Sequence, residues 1–458
     1  MPEPALSPHR PASALLTDLY ELSMATVYDA EAMEEEAVFE LFFRELPAHR
    51  NFVLTAGQDE CIRFLSGFHF HEGEIDWLRS LDRFPEHFLR RLASLRFTGD
   101  VYALPEGSVA FPMEPAIQVR APLIEAQLVE TFLLNRIHSQ SVLASKAARI
   151  VLAADGRPVM DFGARKAHGS DGALALARCS YIAGAAGTSN LEAGMRYGIP
   201  VMGTMAHSYV QAFEDEARAF ERFCRQWPET TLLVDTWDTL RGVERVIALI
   251  QAHPGPGKPP VSAIRLDSGD LGKLAWQARE KLDAAGLEDI RILASSSLNE
   301  YRIAELLREG APIDGFGVGT EWAVSPDAAD IDFAYKLSEF AGEPRMKASR
   351  DKATWPGAKQ VWRSWHRGSM QGDRVCAADE APIKGSEALL KPVIEGGERL
   401  AGALGTLEET REHARKQLAA LPEALRQPEQ AASPYSVSIS KQLEADKEAM
   451  LRRYLDER

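Results

Sequence analysis

From residue 159 to residue 320 short apolar runs alternate with longer amphipathic stretches, the βα rhythm of a parallel sheet whose strands are joined by crossovers. The runs occupy residues 159–162, 181–185, 200–205, 231–234, 263–266, 291–294 and 313–318. About seven strands at intervals of roughly 20 to 30 residues predict a closed or nearly closed α/β barrel, with an open doubly wound sheet as the alternative. Both architectures place ligands on the loops that follow the carboxyl ends of the strands, so chemistry is to be sought there. Two intervening helices are also legible. Over 212–227, Phe213, Ala217, Phe220, Cys224 and Trp227 share one face, and over 238–252 Asp238 stands as N-cap before Leu240, Val243, Ile247 and Ile250.

The flanks read differently. Residues 15–130 mix helices with short strands such as 37–43 and 109–113, and beyond about 341 Gly and Pro increase before amphipathic helices over 407–421 and 440–455. The chain divides into a disordered start (1–14), an N-terminal α+β domain (15–130), an α/β barrel (131–340) and C-terminal segments (341–458). A net charge of −15 over 458 residues argues against wholesale nucleic-acid binding, because phosphate backbones are held by clustered Lys and Arg. Cys61, Cys179, Cys224 and Cys376 lie far apart with no CxxC pair, against a disulfide framework or a zinc site. No stretch approaches the roughly 20 apolar residues of a membrane span, and the first residues lack a secretory apolar core. A cytoplasmic protein without membrane contact is expected.

Polar side chains gather behind the strands in a way that core packing does not require. Gly163-Ala164-Arg165-Lys166 puts two cations just past a strand, where Arg165 can grip a carboxylate or phosphate bidentately. Gly187-Thr188-Ser189-Asn190 either offers backbone N–H groups to an anion or simply caps a helix. His207, followed by Ser208, stands after another run as a base, proton carrier or phosphoryl acceptor, or as a structural hydrogen-bonding group. The strongest local signal is Arg265-Leu266-Asp267-Ser268-Gly269-Asp270, in which Arg265 and Asp267 alternate in a strand and so project to the same side. Asp267 and Asp270 suit a ribose diol or a Mg²⁺ ion holding pyrophosphate; the plainer reading is an Asp-Ser-Gly turn that caps a helix. Ser295-Ser296-Ser297 and Gly315-Phe316-Gly317-Val318-Gly319-Thr320 add small donors and glycine backbone for a phosphate.

Together these segments resemble the nicotinate phosphoribosyltransferase family over nearly the whole chain, from about residue 15 to 455. The resemblance is carried by Leu16-Thr17-Asp18-Leu19-Tyr20, Phe39-Glu40-Leu41-Phe42-Phe43-Arg44, Glu130-Thr131-Phe132-Leu133-Leu134-Asn135, Asp161-Phe162-Gly163-Ala164-Arg165 and Gly203-Thr204-Met205-Ala206-His207-Ser208. Residues 233–236, 265–270 and 316–322 complete it. It implies an irregular α/β barrel with an N-terminal α+β domain completed by the C-terminal segments, and a homodimer with shared active sites. It further implies that nicotinate and phosphoribosyl pyrophosphate give nicotinate mononucleotide, with Mg²⁺ and with ATP as a co-substrate that phosphorylates His207. On the same ground Arg165 would meet the nicotinate carboxylate or the nearby phosphates, Phe162 and a partner's Tyr20 would stack on the pyridine ring, and Asp267 would hold the ribose with Arg265 beside pyrophosphate. Gly317, Gly319 and Thr320 would cradle the 5′-phosphate. The chain departs from its relatives at 295–300, where Ser-Ser-Ser-Leu-Asn-Glu replaces Ser-Gly-Asp-Leu-Asp-Glu and removes two carboxylates. Ser189 is neutral where nicotinamide-using relatives carry an aspartate. Nicotinamide or quinolinate transfer, and a catalytically silent dimer, are the competing readings.

Overall fold

The computed structural model describes residues 13–253, 260–349 and 354–456. The chain folds as two compact units: one takes the residues up to Ser145 and those from Asp327 onward, the other is Lys146–Pro326. Of the start expected to be disordered, residues 1–12 lie outside the described residues, whereas Ala14 is buried.

Six parallel strands form the sheet of the second unit, in the order Gly187–Thr188, Val159–Asp161, Gly315–Val318, Arg291–Ala294, Val261–Leu266, Thr230–Leu233. The sheet curls into a half-barrel, and among the described residues its two outer strands are not paired to each other. Two of the seven expected strands are corrected. Residues 181–182 finish the helix Gly169–Ile182, whose Leu176, Ala177, Cys179 and Ile182 are buried, and 183–185 form the turn after it; a buried helix end shows the same unbroken apolar run as a buried strand. Residues 200–205 contribute only a bridge from Val201 to Thr188, since Pro200 has no N–H for a ladder.

The helices follow their caps. Asp238 accepts the Arg241 N–H at 2.9 Å and opens Thr239–Gln251. The periodicity over 212–227 resolves into Glu216–Gln226, capped by Asp215, preceded by the short helix His207–Gln211. A Cβ on Gly242 would sit 2.1 Å from the Val234 carbonyl oxygen, so only glycine lets this helix close on the end of the strand before it. Leu232, Ile264, Ile292 and Phe316 are fully buried in this unit. Each such side chain contributes about 1.5–3 kcal/mol.

In the first unit seven strands run in the order Glu343–Pro344, Phe333–Phe340, Glu36–Phe43, Pro115–Pro122, Asp100–Ala103, Lys391–Glu395, Glu398–Arg399, every neighbour antiparallel. Phe333–Phe340 thus leaves the barrel to which the span 131–340 assigned it. It pairs along its length with Glu36–Phe43 and stacks Tyr335 on Phe39 at 4.9 Å between centroids, and the boundary falls at Pro326. The other boundary, placed at 130, falls at Ser145, inside the helix Glu130–Ala153. A second sheet orders Ser386–Ala388, Lys359–His366, Ser369–Ala377 and Val437–Ile439. The expected strand 109–113 shortens to Val109–Ala110, with Met113 at a left-handed φ of 71°. Among the described residues no helix is long and apolar enough to cross a membrane, and the four cysteines are buried and unbridged.

Candidate active site

Two loops that follow neighbouring strands of the half-barrel converge on His207, which opens the helix His207–Gln211. Its Nε2 lies 3.5 Å from Oδ2 of Asp267, which follows Val261–Leu266, and its Nδ1 lies 3.1 Å from the Thr236 hydroxyl, which follows Thr230–Leu233. Asp267 is itself held from two sides. Its N–H donates to Oδ2 of Asp235 at 2.8 Å, and its Oδ1 accepts from the Ser295 hydroxyl at the end of Arg291–Ala294. Ser268 donates to the same Asp235 oxygen at 2.6 Å.

Arg265 supplies the positive charge. Its Nη2 donates to the Met205 carbonyl at 3.2 Å, and its guanidinium lies 5.9 Å from the centre of the Phe162 ring. Burial holds its pKa below the usual arginine value; Asp267 and Asp235 oppose that shift and Arg165 reinforces it. Two atoms here are buried without a hydrogen-bond partner: Nε of Arg265 and Oδ1 of Asp235. An unpaired buried donor or acceptor costs about 1–3 kcal/mol, so such a pair on one rim marks a place that a polar ligand completes.

A second cluster forms around Asp161. Its Oδ1 accepts from the Gly163 N–H at 2.8 Å and its Oδ2 from the Thr188 hydroxyl at 2.7 Å, while its carbonyl accepts from the Ser189 N–H at 2.9 Å. Burial pushes the Asp161 carboxyl upward against these bonds. Thr188, expected to touch substrate, is fully buried with its hydroxyl given to Asp161, and is a structural brace. Ser189 is exposed beside it, and Arg165 is exposed on the short 3-10 turn Ala164–Lys166. Asn190 caps the next helix through the N–H groups of Glu192 and Ala193.

The remaining candidates divide. Asp270 caps Leu271–Ala284 through the Lys273 N–H at 3.2 Å, the plainer of its two readings. Ser208 is exposed next to His207, and Thr320 is exposed where it opens the short helix Thr320–Val324. A Cβ on Gly317 would lie 2.5 Å from Cε2 of Phe162, so the close approach that demands glycine there is made by that ring; Gly319 backs on to the Phe162 carbonyl. Ser296 and Ser297 adopt left-handed φ of 85° and 48°, a strained turn with both side chains exposed. Tyr20 belongs to the first unit, where it is half exposed, and burial together with Glu130, Glu21 and Asp18 pushes its phenol upward. Asp235, Thr236 and Asp161 had no role in the sequence reading, although the same position after a strand that singles out Asp267 applies to the first two.

Comparison with known proteins decides what this arrangement belongs to. Models of the nicotinate phosphoribosyltransferase N-terminal domain, family and C-terminal domain match residues 15–138, 158–354 and 384–447. The chain belongs to the nicotinate phosphoribosyltransferase family. Among this family, nicotinate phosphoribosyltransferase pncB2 of Mycobacterium tuberculosis is 53% identical over 427 residues, covering 93% of this chain and 91% of that protein. The Bacillus subtilis nicotinate phosphoribosyltransferase is 39% identical over 377 residues, covering 80% and 76%. The human nicotinic acid phosphoribosyltransferase structure superposes with a TM-score of 0.84 at 29% identity, over 95% of this chain and 99% of that one.

Proposed function

We propose that this enzyme joins nicotinate to the ribose of phosphoribosyl pyrophosphate, giving nicotinate mononucleotide and pyrophosphate for NAD salvage, and that ATP phosphorylates His207. The observation that carries this reading is the convergence of His207, Asp267 and a half-buried Arg265, whose buried Nε has no partner, on one rim of the half-barrel. In the transfer the pyridine nitrogen lone pair forms the bond to the anomeric carbon while the bond to the pyrophosphate oxygen breaks and its electrons leave on pyrophosphate. Charge on the departing group grows through this step. Arg265 Nε is the donor placed to receive it, and positioning with charge stabilisation outweighs any need for a strong base. Asp267 orients the ribose hydroxyls, Phe162 stacks on the pyridine, and exposed Arg165 and Ser189 receive the nicotinate carboxylate.

Among the described residues no group of three or more His, Cys, Asp or Glu is arranged to hold a metal. Mg²⁺ commonly binds through one or two carboxylates together with substrate phosphates, and the partnerless Oδ1 of Asp235 suits such a shared ion. When bound it would neutralise pyrophosphate charge. The proposed assembly is a homodimer in the cytoplasm, with Tyr20 supplied to each site by the other copy.

The test is a pyrophosphate-release assay with nicotinate, nicotinamide and quinolinate, with and without ATP, alongside labelling by γ-phosphate-labelled ATP. Turnover with nicotinate and label lost in His207→Ala is the expected result. A wild type that neither labels nor releases pyrophosphate sinks the proposal.

A further inference from the structure

The loop after Thr230–Leu233 enters the site with two consecutive side chains, each engaged with one member of the His207–Asp267 pair. Asp235 fixes the backbone of Asp267, and half-buried Thr236 places its hydroxyl 3.1 Å from His207 Nδ1. We propose that Thr236 is a positioning residue that fixes the ring orientation of His207 for phosphoryl transfer, a role that rests on His207 being the phosphoryl acceptor.

A neutral imidazole carries one N–H and one lone pair, and a carboxylate only accepts. The nitrogen facing Asp267, Nε2, therefore carries the proton, and Nδ1 keeps the lone pair and accepts from the Thr236 hydroxyl. A half-turn about Cβ–Cγ would put a ring carbon against that hydroxyl and move Nε2 away from Asp267. Asp267 selects the protonation form, and Thr236 selects which edge of the ring faces which partner. A neutral hydrogen bond of this kind favours one orientation by about two- to tenfold.

The step it prepares conserves every atom. The ring lone pair forms the N–P bond to the γ-phosphorus of ATP, the P–O bond to the β-phosphate breaks, and its electron pair leaves on ADP. The proton on the nitrogen facing Asp267 stays where it is. As the N–P bond forms, the Thr236 hydroxyl is released from the nitrogen and can donate to a phosphoryl oxygen.

Thr236→Val keeps the shape and removes the hydroxyl; Thr236→Ser keeps the hydroxyl. At saturating ATP, Thr236→Val is expected to label His207 about twofold more slowly than wild type, as the competent ring orientation falls from about nine-tenths of the population to about half, with the KM for ATP and the melting temperature little changed, and Thr236→Ser is expected to recover most of the rate. Labelling of Thr236→Val at the wild-type rate, or Thr236→Ser no faster than Thr236→Val, overturns the role of Thr236 while leaving His207 as acceptor. A wild type that takes no label removes the acceptor and the role of Thr236 with it.

Discussion

Asp267 faces His207 across 3.5 Å with its other carboxylate oxygen bonded to Ser295, so a single side chain ties the end of one strand to the next and to the candidate phosphoryl acceptor. Replacing it by Asn retains the shape and an acceptor for Ser295 but removes the charge that meets Nε2. Asp267→Asn is expected to lower kcat/KM by about a hundredfold or more, the range for misplacing bound substrate and a charge beside the acceptor, with an unchanged melting curve. Wild-type kinetics in that variant would remove Asp267 from the chemistry.

Under the proposed function, Ser189 is expected to govern the choice of base. It is exposed, its backbone N–H is held by the Asp161 carbonyl at 2.9 Å, and its hydroxyl is a neutral donor. A carboxylate at this position would repel nicotinate by about 4 kcal/mol at 4 Å and an effective dielectric of 20. The wild type is expected to prefer nicotinate over nicotinamide by about a hundredfold or more in kcat/KM, and Ser189→Asp to lose most of that preference. Equal use of both bases by the wild type contradicts this account.

Gly317 tests the position of Phe162. A methyl group there would lie 2.5 Å from Cε2 of the ring, closer than any ordinary contact, and would push the ring out of place. Gly317→Ala is expected to destabilise the protein by about 1–3 kcal/mol and to raise the KM for nicotinate more than it lowers kcat. Steady-state kinetics with a thermal melt decide it, and an unaltered nicotinate KM tells against stacking on Phe162.

Glu300 gives a pH signature. Its carboxylate is fully buried, bonded to Lys146 at 2.7 Å and to Arg149 at 2.9 Å. Burial alone would raise its pKa, but the two cations outweigh burial and hold it below the usual glutamate value. The folded value being the lower one, the stabilisation is complete above the unfolded value of about 4.3 and is lost as pH falls through the folded value. Glu300→Gln is expected to lose about 3–5 kcal/mol at pH 7 and to show a flatter melting temperature than wild type as pH drops below about 4. Parallel pH curves for the two proteins would show that this pair carries no such dependence.

Sharing of sites between copies is open to a mixing experiment. Tyr20→Ala and His207→Ala are each expected to be inactive, and subunit exchange at equal amounts should restore about a quarter of wild-type activity, since half the dimers are mixed and each has one intact site. No recovery after verified exchange argues that both residues serve the same copy.

Much of the site was legible because its residues sit where parallel strands end. Arg265, Asp267 and His207 were singled out as lying at or just past apolar runs, although the run before His207 forms only a bridge, and Asp238 announced its helix by capping chemistry. The rule fails where position does not reveal direction. Thr188 closes a strand and Ser189 follows it, yet the Thr188 hydroxyl turns inward to Asp161, and nothing in the local sequence announces that direction. Residues 181–185 failed because a short apolar run at a largely buried helix end does not distinguish helical from extended periodicity. Phe333–Phe340 failed because its partner lies far away in the chain, and sheet pairing at that separation depends on tertiary contact.

That same pairing dictates an order of events during synthesis. Glu36–Phe43 acquires Pro115–Pro122 on one side early, but its other edge is completed only by Phe333–Phe340, after the whole of Lys146–Pro326 has emerged. The stretch that builds the half-barrel is continuous and can collapse as it leaves the ribosome, whereas the antiparallel sheet must hold both outer edges bare, Glu36–Phe43 until Phe333–Phe340 arrives and Asp100–Ala103 until Lys391–Glu395 follows. A nascent chain stalled before residue 333 therefore presents an unsealed hydrogen-bonding edge, and there a chaperone has the most to protect.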